Sequence, residues 1–115
     1  MKLENILIDA NINLKIIDFG LSTYRQNNLL QSYKGTVGYM PPEIVEGKQY
    51  SGQKCDIFSA GVILFIIVTG LLPFKQAHKH DYHYKSLSTK CYEKYWNKID
   101  ANSELNLSNE FKDLM

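Results

Sequence analysis

Apolar positions along the chain fall into a few short runs and two longer periodic stretches. Ile6-Leu7-Ile8 and Leu14, Ile16 and Ile17 flank Asp9-Ala10-Asn11-Ile12-Asn13, a segment rich in turn formers. That pattern predicts a β-hairpin over residues 5–17. After Gly20 the pattern lapses: residues 21–34 are polar and aperiodic, which predicts an exposed, mobile loop. A short helix is predicted around Pro42, with proline in its first turn and Gly47 as its stop. Residues 57–72 carry no charge and end at Pro73. They predict a helix over 56–69 that is apolar on every side and therefore buried. Beyond Phe74 hydrophobicity falls while Lys, Tyr and His rise. Tyr92, Tyr95, Trp96 and Ile99 recur at helical spacing and predict an amphipathic helix. Residues 100–107 read as a polar loop. Ser108 then suits the N-cap of a last helix, with Glu110 near its positive end.

Composition narrows the class. With 115 residues there is room for one ordinary domain at most. A hydrophobic content of 44% argues against wholesale disorder. Thirteen basic and 12 acidic side chains leave a net charge of +1, so electrostatics give no reason to expect nucleic acid or a membrane as partner. The charge-free stretch falls short of the roughly 20 residues that cross a bilayer and reads as a soluble core helix. The opening MKLENILIDA has an acidic residue, no long apolar region and no cleavage site, unlike a signal peptide. Cys55 and Cys91 lie far apart and form no CxxC, so neither a disulfide framework nor a zinc knuckle is expected. A reduced cytoplasmic or nuclear setting is the expectation.

The first chemical signal is Asp18-Phe19-Gly20 directly after the second predicted strand. A tripeptide alone recurs by chance, but its setting adds weight. Asn5 opens the hairpin and Asp18 closes it, which can bring a carboxamide and a carboxylate to one edge. Two such oxygen donors suit Mg²⁺, which keeps substrate phosphates as further ligands. Lys2, three residues before Asn5, adds a positive charge for a phosphoryl group. His78, His80 and His83, with Asp81, fit no helical pair at i, i+4 and no zinc spacing, so they read as a solvated loop. The Tyr- and Lys-rich run over 79–98 is interrupted by acidic residues, which disfavours stacking on nucleic acid.

Taken in order, these motifs resemble the C-terminal lobe of a eukaryotic protein kinase. Lys2-Leu3-Glu4-Asn5 resembles the end of the catalytic loop HRDLKxEN, with Leu3 where many members have proline. Asp18-Phe19-Gly20 resembles the metal-binding DFG. Gly35-Thr36 and Tyr39-Met40-Pro41-Pro42-Glu43 resemble GTxxYMAPE, with Pro41 in place of alanine. Asp56-Ile57-Phe58-Ser59-Ala60-Gly61-Val62 resembles DxWSxGV, with Phe58 in place of tryptophan. Gly70-Leu71-Leu72-Pro73-Phe74 resembles the GxxPF that follows. The blocks cover roughly residues 1–75, and the match thins afterwards.

The resemblance implies an α+β fold: a mainly helical kinase C-lobe with a small antiparallel hairpin carrying the metal-binding residues, truncated at both ends. It divides a partial kinase domain, 1–115, into four parts. These are the catalytic-loop end and DFG hairpin (1–20), the activation segment (18–43), a central buried helix (56–69) and later helices (75–115). It implies ATP and Mg²⁺ as cofactors, with Asn5 and Asp18 on the metal and Lys2 on the transferred phosphoryl group. Leu7 would floor the adenine, and Phe19 would join the column that separates active from inactive states. Thr36 would support Lys2 and favour serine/threonine over tyrosine as acceptor. The calcium/calmodulin-dependent or SNF-related branch is favoured. Ser32, three residues before Gly35, occupies a common position for an activating phosphate, ahead of Tyr24 and Tyr33. Asp56 reads as a helix N-cap whose carboxylate also receives catalytic-loop N–H groups. Residues 79–98 would form a helix facing substrates or partners.

The same resemblance sets expectations about what these residues lack. The catalytic Asp of HRD would fall immediately before Met1, which itself takes the leucine position and so reads as an internal methionine. The N-lobe, with its glycine-rich loop and phosphate-binding lysine, would be a missing partner. General-base catalysis alone is worth about 10²–10⁴ in rate, so the chain alone is expected to be inactive. Glu43 would pair with an arginine beyond Met115. An unpaired buried charge costs about 3–5 kcal/mol, against about 5–15 kcal/mol for a whole domain, so marginal stability is expected. The alternative is a non-catalytic docking or decoy module.

Overall fold

Asp9 organises the start of the fold. Its carboxylate accepts hydrogen bonds from Asn11 N–H (2.9 Å), Asn13 N–H (2.8 Å) and Asn13 Nδ2 (3.1 Å). These bonds close the turn between β1 (Ile6–Ile8) and β2 (Leu14–Ile16), an antiparallel pair in which Ile6 faces Ile16 and Ile8 faces Leu14. The computed structural model describes residues 1–24, 29–102 and 105–115. Among them are five α-helices and this one two-stranded sheet, an α+β arrangement as the sequence predicts. Residues 25–28 of the predicted mobile loop and 103–104 of the predicted polar loop lie outside the described residues.

Helix α1 (Pro42–Val45) has Pro42 in its first turn, and Gly47 follows with φ 68°, the left-handed conformation that ends helices. Helix α2 (Gly52–Thr69) departs from expectation twice. It begins four residues before position 56, because Gln53 and Lys54 form an exposed first turn that carries no apolar signal. It is also only about one-third buried. Cys55, Ser59, Val62, Ile63, Phe65 and Thr69 face inward, while Ile57 is 75% and Ile67 61% exposed. By length and composition alone α2 can cross a membrane, yet its inward stripe is the seam on which the other helices assemble.

Three apolar clusters line that seam. Met40, Ile44, Tyr50 and Cys55 form one, at the start of α2. Val62, Phe74 and Ala77 form the second. The third joins Phe65 to Tyr95, Trp96 and Ile99 of α4 (Tyr92–Asn102) and to Phe111 of α5 (Asn109–Leu114). Helix α4 runs past Ile99 into the stretch predicted as loop. Asp100 in that extension binds Lys112 of α5 at 2.8 Å, which gives its polar end a helical role. Ser108 caps α5 as predicted, accepting from Phe111 N–H. Asp81 caps α3 (Tyr82–Ser88) through Tyr84 N–H and also accepts from Lys75 and Gln76 N–H. It is therefore a structural residue of the histidine-bearing segment.

Candidate functional site

The hairpin sets Asn5 and Asp18 side by side. A 3₁₀ turn over Leu3–Asn5 is closed by Asn5 N–H donating to Lys2 C=O at 3.1 Å. Past β2, Ile17 N–H donates to Asn5 C=O at 2.9 Å, which returns the chain to its starting edge. Asp18 then takes φ 62°, a left-handed conformation that Asp tolerates better than most residues. Its Oδ1 accepts from Gly20 N–H at 3.2 Å, and its Oδ2 accepts from Asn5 Nδ2 at 3.4 Å. The predicted carboxamide and carboxylate thus converge. A half-turn of the Asn5 amide places its oxygen beside the carboxylate, leaving two hard oxygen donors that fit Mg²⁺. No third His, Cys, Asp or Glu joins them in a cluster among the described residues, so phosphate and water oxygens would have to complete such a shell.

The other predicted residues are dispersed around this edge. Lys2 is half-buried, and Leu7 pairs across the sheet with Lys15 and is half-exposed. Phe19 is 68% exposed, so it joins no packed column among the described residues. Thr36 is exposed; its C=O accepts from Tyr39 N–H at 2.9 Å, and its side chain makes no capping bond. Gly35 before it has φ 135°, and a Cβ there would lie 3.1 Å from Met40 Cγ. Both facts favour glycine at that bend.

Two contacts tie the segment after Gly35 to the rest, and neither was read from sequence. Tyr39 Oη donates to Glu4 Oε2 at 3.5 Å, and Ser59 Oγ donates to Tyr39 C=O at 2.9 Å. The tyrosine therefore sits between the Leu3–Asn5 turn and α2. Nothing in local periodicity links residues so far apart; the structure shows that the Ser59 hydroxyl, inside an apolar run, is buried and so needs a partner.

Glu43 approaches a buried thiol, and the neighbouring Asp56 adds its charge. Cys55 Sγ lies 3.9 Å from Glu43 Oε1. Burial first, then the Glu43 and Asp56 carboxylates, push the Cys55 thiol up to about 11. Among the described residues no ion pair includes Glu43. Asp56 is not an N-cap: Ser51 holds that position, and Asp56 lies in an exposed part of α2 whose N–H groups are already inside the helix. Ser32, although exposed, hydrogen-bonds Tyr50. The rings of His78 and His80 meet edge to face, while His83 sits in α3 against Tyr95. The three imidazoles belong to no metal-ligating group among the described residues.

A family profile described as "Protein kinase domain" matches residues 1–115. The human protein "NUAK family SNF1-like kinase 2" is 50% identical over 93 residues, 80% of this chain and 15% of its own length. "Serine/threonine-protein kinase SIK3 homolog" of Danio rerio is 48% identical over 75 residues, 64% of this chain and 6% of its own. "CBL-interacting protein kinase 2" of Oryza sativa subsp. japonica is 45% identical over 89 residues, 74% of this chain and 20% of its own. The chain thus spans between 6% and 20% of the length of these curated relatives.

Proposed function

The chain belongs to the protein kinase domain family, and from that footing we propose that it forms the metal- and acceptor-facing part of a serine/threonine protein kinase of the SNF1-related branch. The reaction is transfer of the ATP γ-phosphoryl group to a protein hydroxyl. The observation that carries this reading is the approach of Asn5 Nδ2 and Asp18 Oδ2 to 3.4 Å at the open edge of the hairpin. Bound there, Mg²⁺ would neutralise phosphate charge during transfer.

The chain's own residues would do the positioning on which phosphoryl transfer mainly relies. Asp18, held in place by Gly20 N–H, presents its second carboxylate oxygen toward Asn5. Lys2, on the 3₁₀ turn before Asn5, adds a positive charge for the transferred group. Leu7 offers an apolar surface for the adenine. Thr36, beside the sharp bend at Gly35, supports Lys2 and favours serine or threonine as acceptor. Residues 18–43 act as the activation segment, with Phe19 as its conformational marker, Ser32 as its phosphate acceptor and Glu43 at its end. The Tyr39–Glu4 contact supports this reading, because it ties the end of that segment to the turn bearing Lys2 and Asn5. We place the protein in the cytoplasm or nucleus. Residues 1–115 contain neither the HRD Asp nor a glycine-rich loop, so we infer no activity for them by themselves.

The test is acceptor analysis with the protein that carries this chain, given Mg²⁺, γ-labelled ATP and a mixed protein substrate. Label on phosphoserine and phosphothreonine is the expected result. Label only on phosphotyrosine, or none, would overturn the proposal.

A further inference from the structure

Charge is not spread evenly over the chain. Residues 75–98 hold six lysines against Asp81 and Glu93, a net charge of +4 where the whole chain has +1, so the remainder carries −3. Asp81 does little to offset its neighbours. Its carboxylate accepts the backbone N–H groups of Lys75, Gln76 and Tyr84 and is committed to capping α3. Lys85, Lys90, Lys94 and Lys98 are exposed, and among the described residues no ion pair includes Lys85, Lys90 or Lys94.

Two of these lysines converge. Lys94 Nζ lies 5.4 Å and Lys98 Nζ 4.7 Å from the centre of the Tyr82 ring, so α4 sets like charges one turn apart over a single ring of α3. Like charges at that spacing repel and oppose the helix. Attraction of each ammonium to the ring compensates and gathers both side chains at one place. Tyr82 is in turn held by the core. Its ring meets His83 edge to face at 5.7 Å, and His83 meets the buried Tyr95 at 6.0 Å. The Tyr82 ring is still 49% exposed. The outcome is a cationic surface with an aromatic floor, organised before any partner arrives.

We propose that Tyr82, Lys94 and Lys98 form a docking surface for a short acidic segment of a protein partner. Carboxylates on such a segment relieve the repulsion between Lys94 and Lys98, and the methylenes of glutamate side chains lie against the open part of the ring. The size of the patch sets the class of partner. Glu93 borders it, and the chain outside residues 75–98 is net negative. An extended phosphate backbone or an anionic bilayer would meet repulsion beyond the patch, whereas a short acidic peptide ends within it. The surface uses none of the residues assigned to metal or phosphate, so it operates whether or not the chain takes part in phosphoryl transfer.

Fluorescence anisotropy of a labelled peptide of alternating glutamate and glycine, titrated with the protein carrying this chain, tests this. Lys94→Gln and Lys98→Gln should each weaken binding about threefold, and the Lys94→Glu/Lys98→Glu double variant at least about tenfold. Tyr82→Phe keeps the ring and should bind as wild type. Lys54→Gln removes the same charge from the exposed first turn of α2 and should also leave binding unchanged. Near-UV circular dichroism from Tyr95 and Trp96 verifies that each variant keeps its core. No binding by the wild type, wild-type affinity in the double variant, or a loss in Lys54→Gln equal to that in Lys94→Gln would overturn the proposal. So would binding of polyuridylate or of phosphatidylserine vesicles that depends on Lys94 and Lys98 and is tighter than binding of the peptide.

Discussion

The carboxamide of Asn5 donates from Nδ2 to Asp18 Oδ2 at 3.4 Å, joining residues 13 apart across the open edge of the hairpin. The bond is long and exposed, so it adds little to stability. Its consequence is local: an oxygen-rich edge in which each side chain limits where the other points. Asn5→Ala is accordingly expected to change unfolding free energy by under about 0.5 kcal/mol. It should nonetheless require at least about tenfold more Mn²⁺–ATP to broaden the Asp18 and Gly20 amide signals of the protein carrying this chain. Equal broadening in variant and wild type would remove Asn5 from the site.

Ile12 is the weak point of the hairpin turn. It has φ 64° and is 85% exposed, so a β-branched residue sits in a left-handed conformation with no packing in return. Ile12→Asn should stabilise the fold by about 1 kcal/mol, read as a higher urea midpoint at constant slope. Asp9→Ala should act oppositely, since it deletes an acceptor for three donors. Hydrogen bonds from Asn13 backbone and side chain, followed by Asn11, hold the Asp9 carboxyl below its usual range. The anion is thus favoured by folding, and its contribution fades as pH falls through that lowered value.

Phe65 stands where α2, α4 and α5 meet. Its ring lies 6.1 Å from Trp96, 6.3 Å from Tyr95 and 6.5 Å from Phe111. Phe65→Ala should cost about 3–5 kcal/mol, a large part of the roughly 5–15 kcal/mol that holds a domain. Near-UV circular dichroism from Trp96 and Tyr95 should collapse in the variant, while Ile67→Ala on the exposed side of α2 should leave it intact.

The contrast between Phe65 and Ile67 shows where sequence ran out. Both lie in one uncharged run, and a helix apolar on every side does not declare which side is buried. The true start of α2 was hidden for a similar reason: Gln53 and Lys54 look like loop, and Asp56 looks like a cap. By contrast, Asp9 and Asn13 mark their turn through local chemistry, and Ser108 marks the start of α5, so both were legible. Asn5 and Asp18 were legible because a hairpin fixes where its two ends go. Glu4–Tyr39, Ser59–Tyr39 and Ser32–Tyr50 were not, because each joins distant segments whose pairing leaves no local pattern.

Cys55 and Cys91 should react very differently. Cys91 is exposed, whereas Cys55 is buried with its thiol pushed up to about 11. At pH 8 Ellman's reagent should titrate one thiol per folded chain and two in denaturant, because the thiolate is the nucleophile. The linkage has a definite sign. In the unfolded chain Cys55 ionises near its ordinary 9.0, and in the folded chain near 11. Over that interval the unfolded state binds fewer protons, so stability from this group falls as pH rises from 9 to 11. Cys55→Ser or Cys55→Ala should flatten that part of the profile.

Phosphoryl transfer by the full-length protein carrying this chain, compared with its Asp18→Asn variant, tests the central claim most directly. That substitution retains size and hydrogen-bonding capacity while removing the charge. The prediction is ATP-dependent labelling of serine and threonine by the wild type, and a rate at least about 10²-fold lower in Asp18→Asn with unchanged near-UV circular dichroism. Labelling by Asp18→Asn at the wild-type rate would contradict the account.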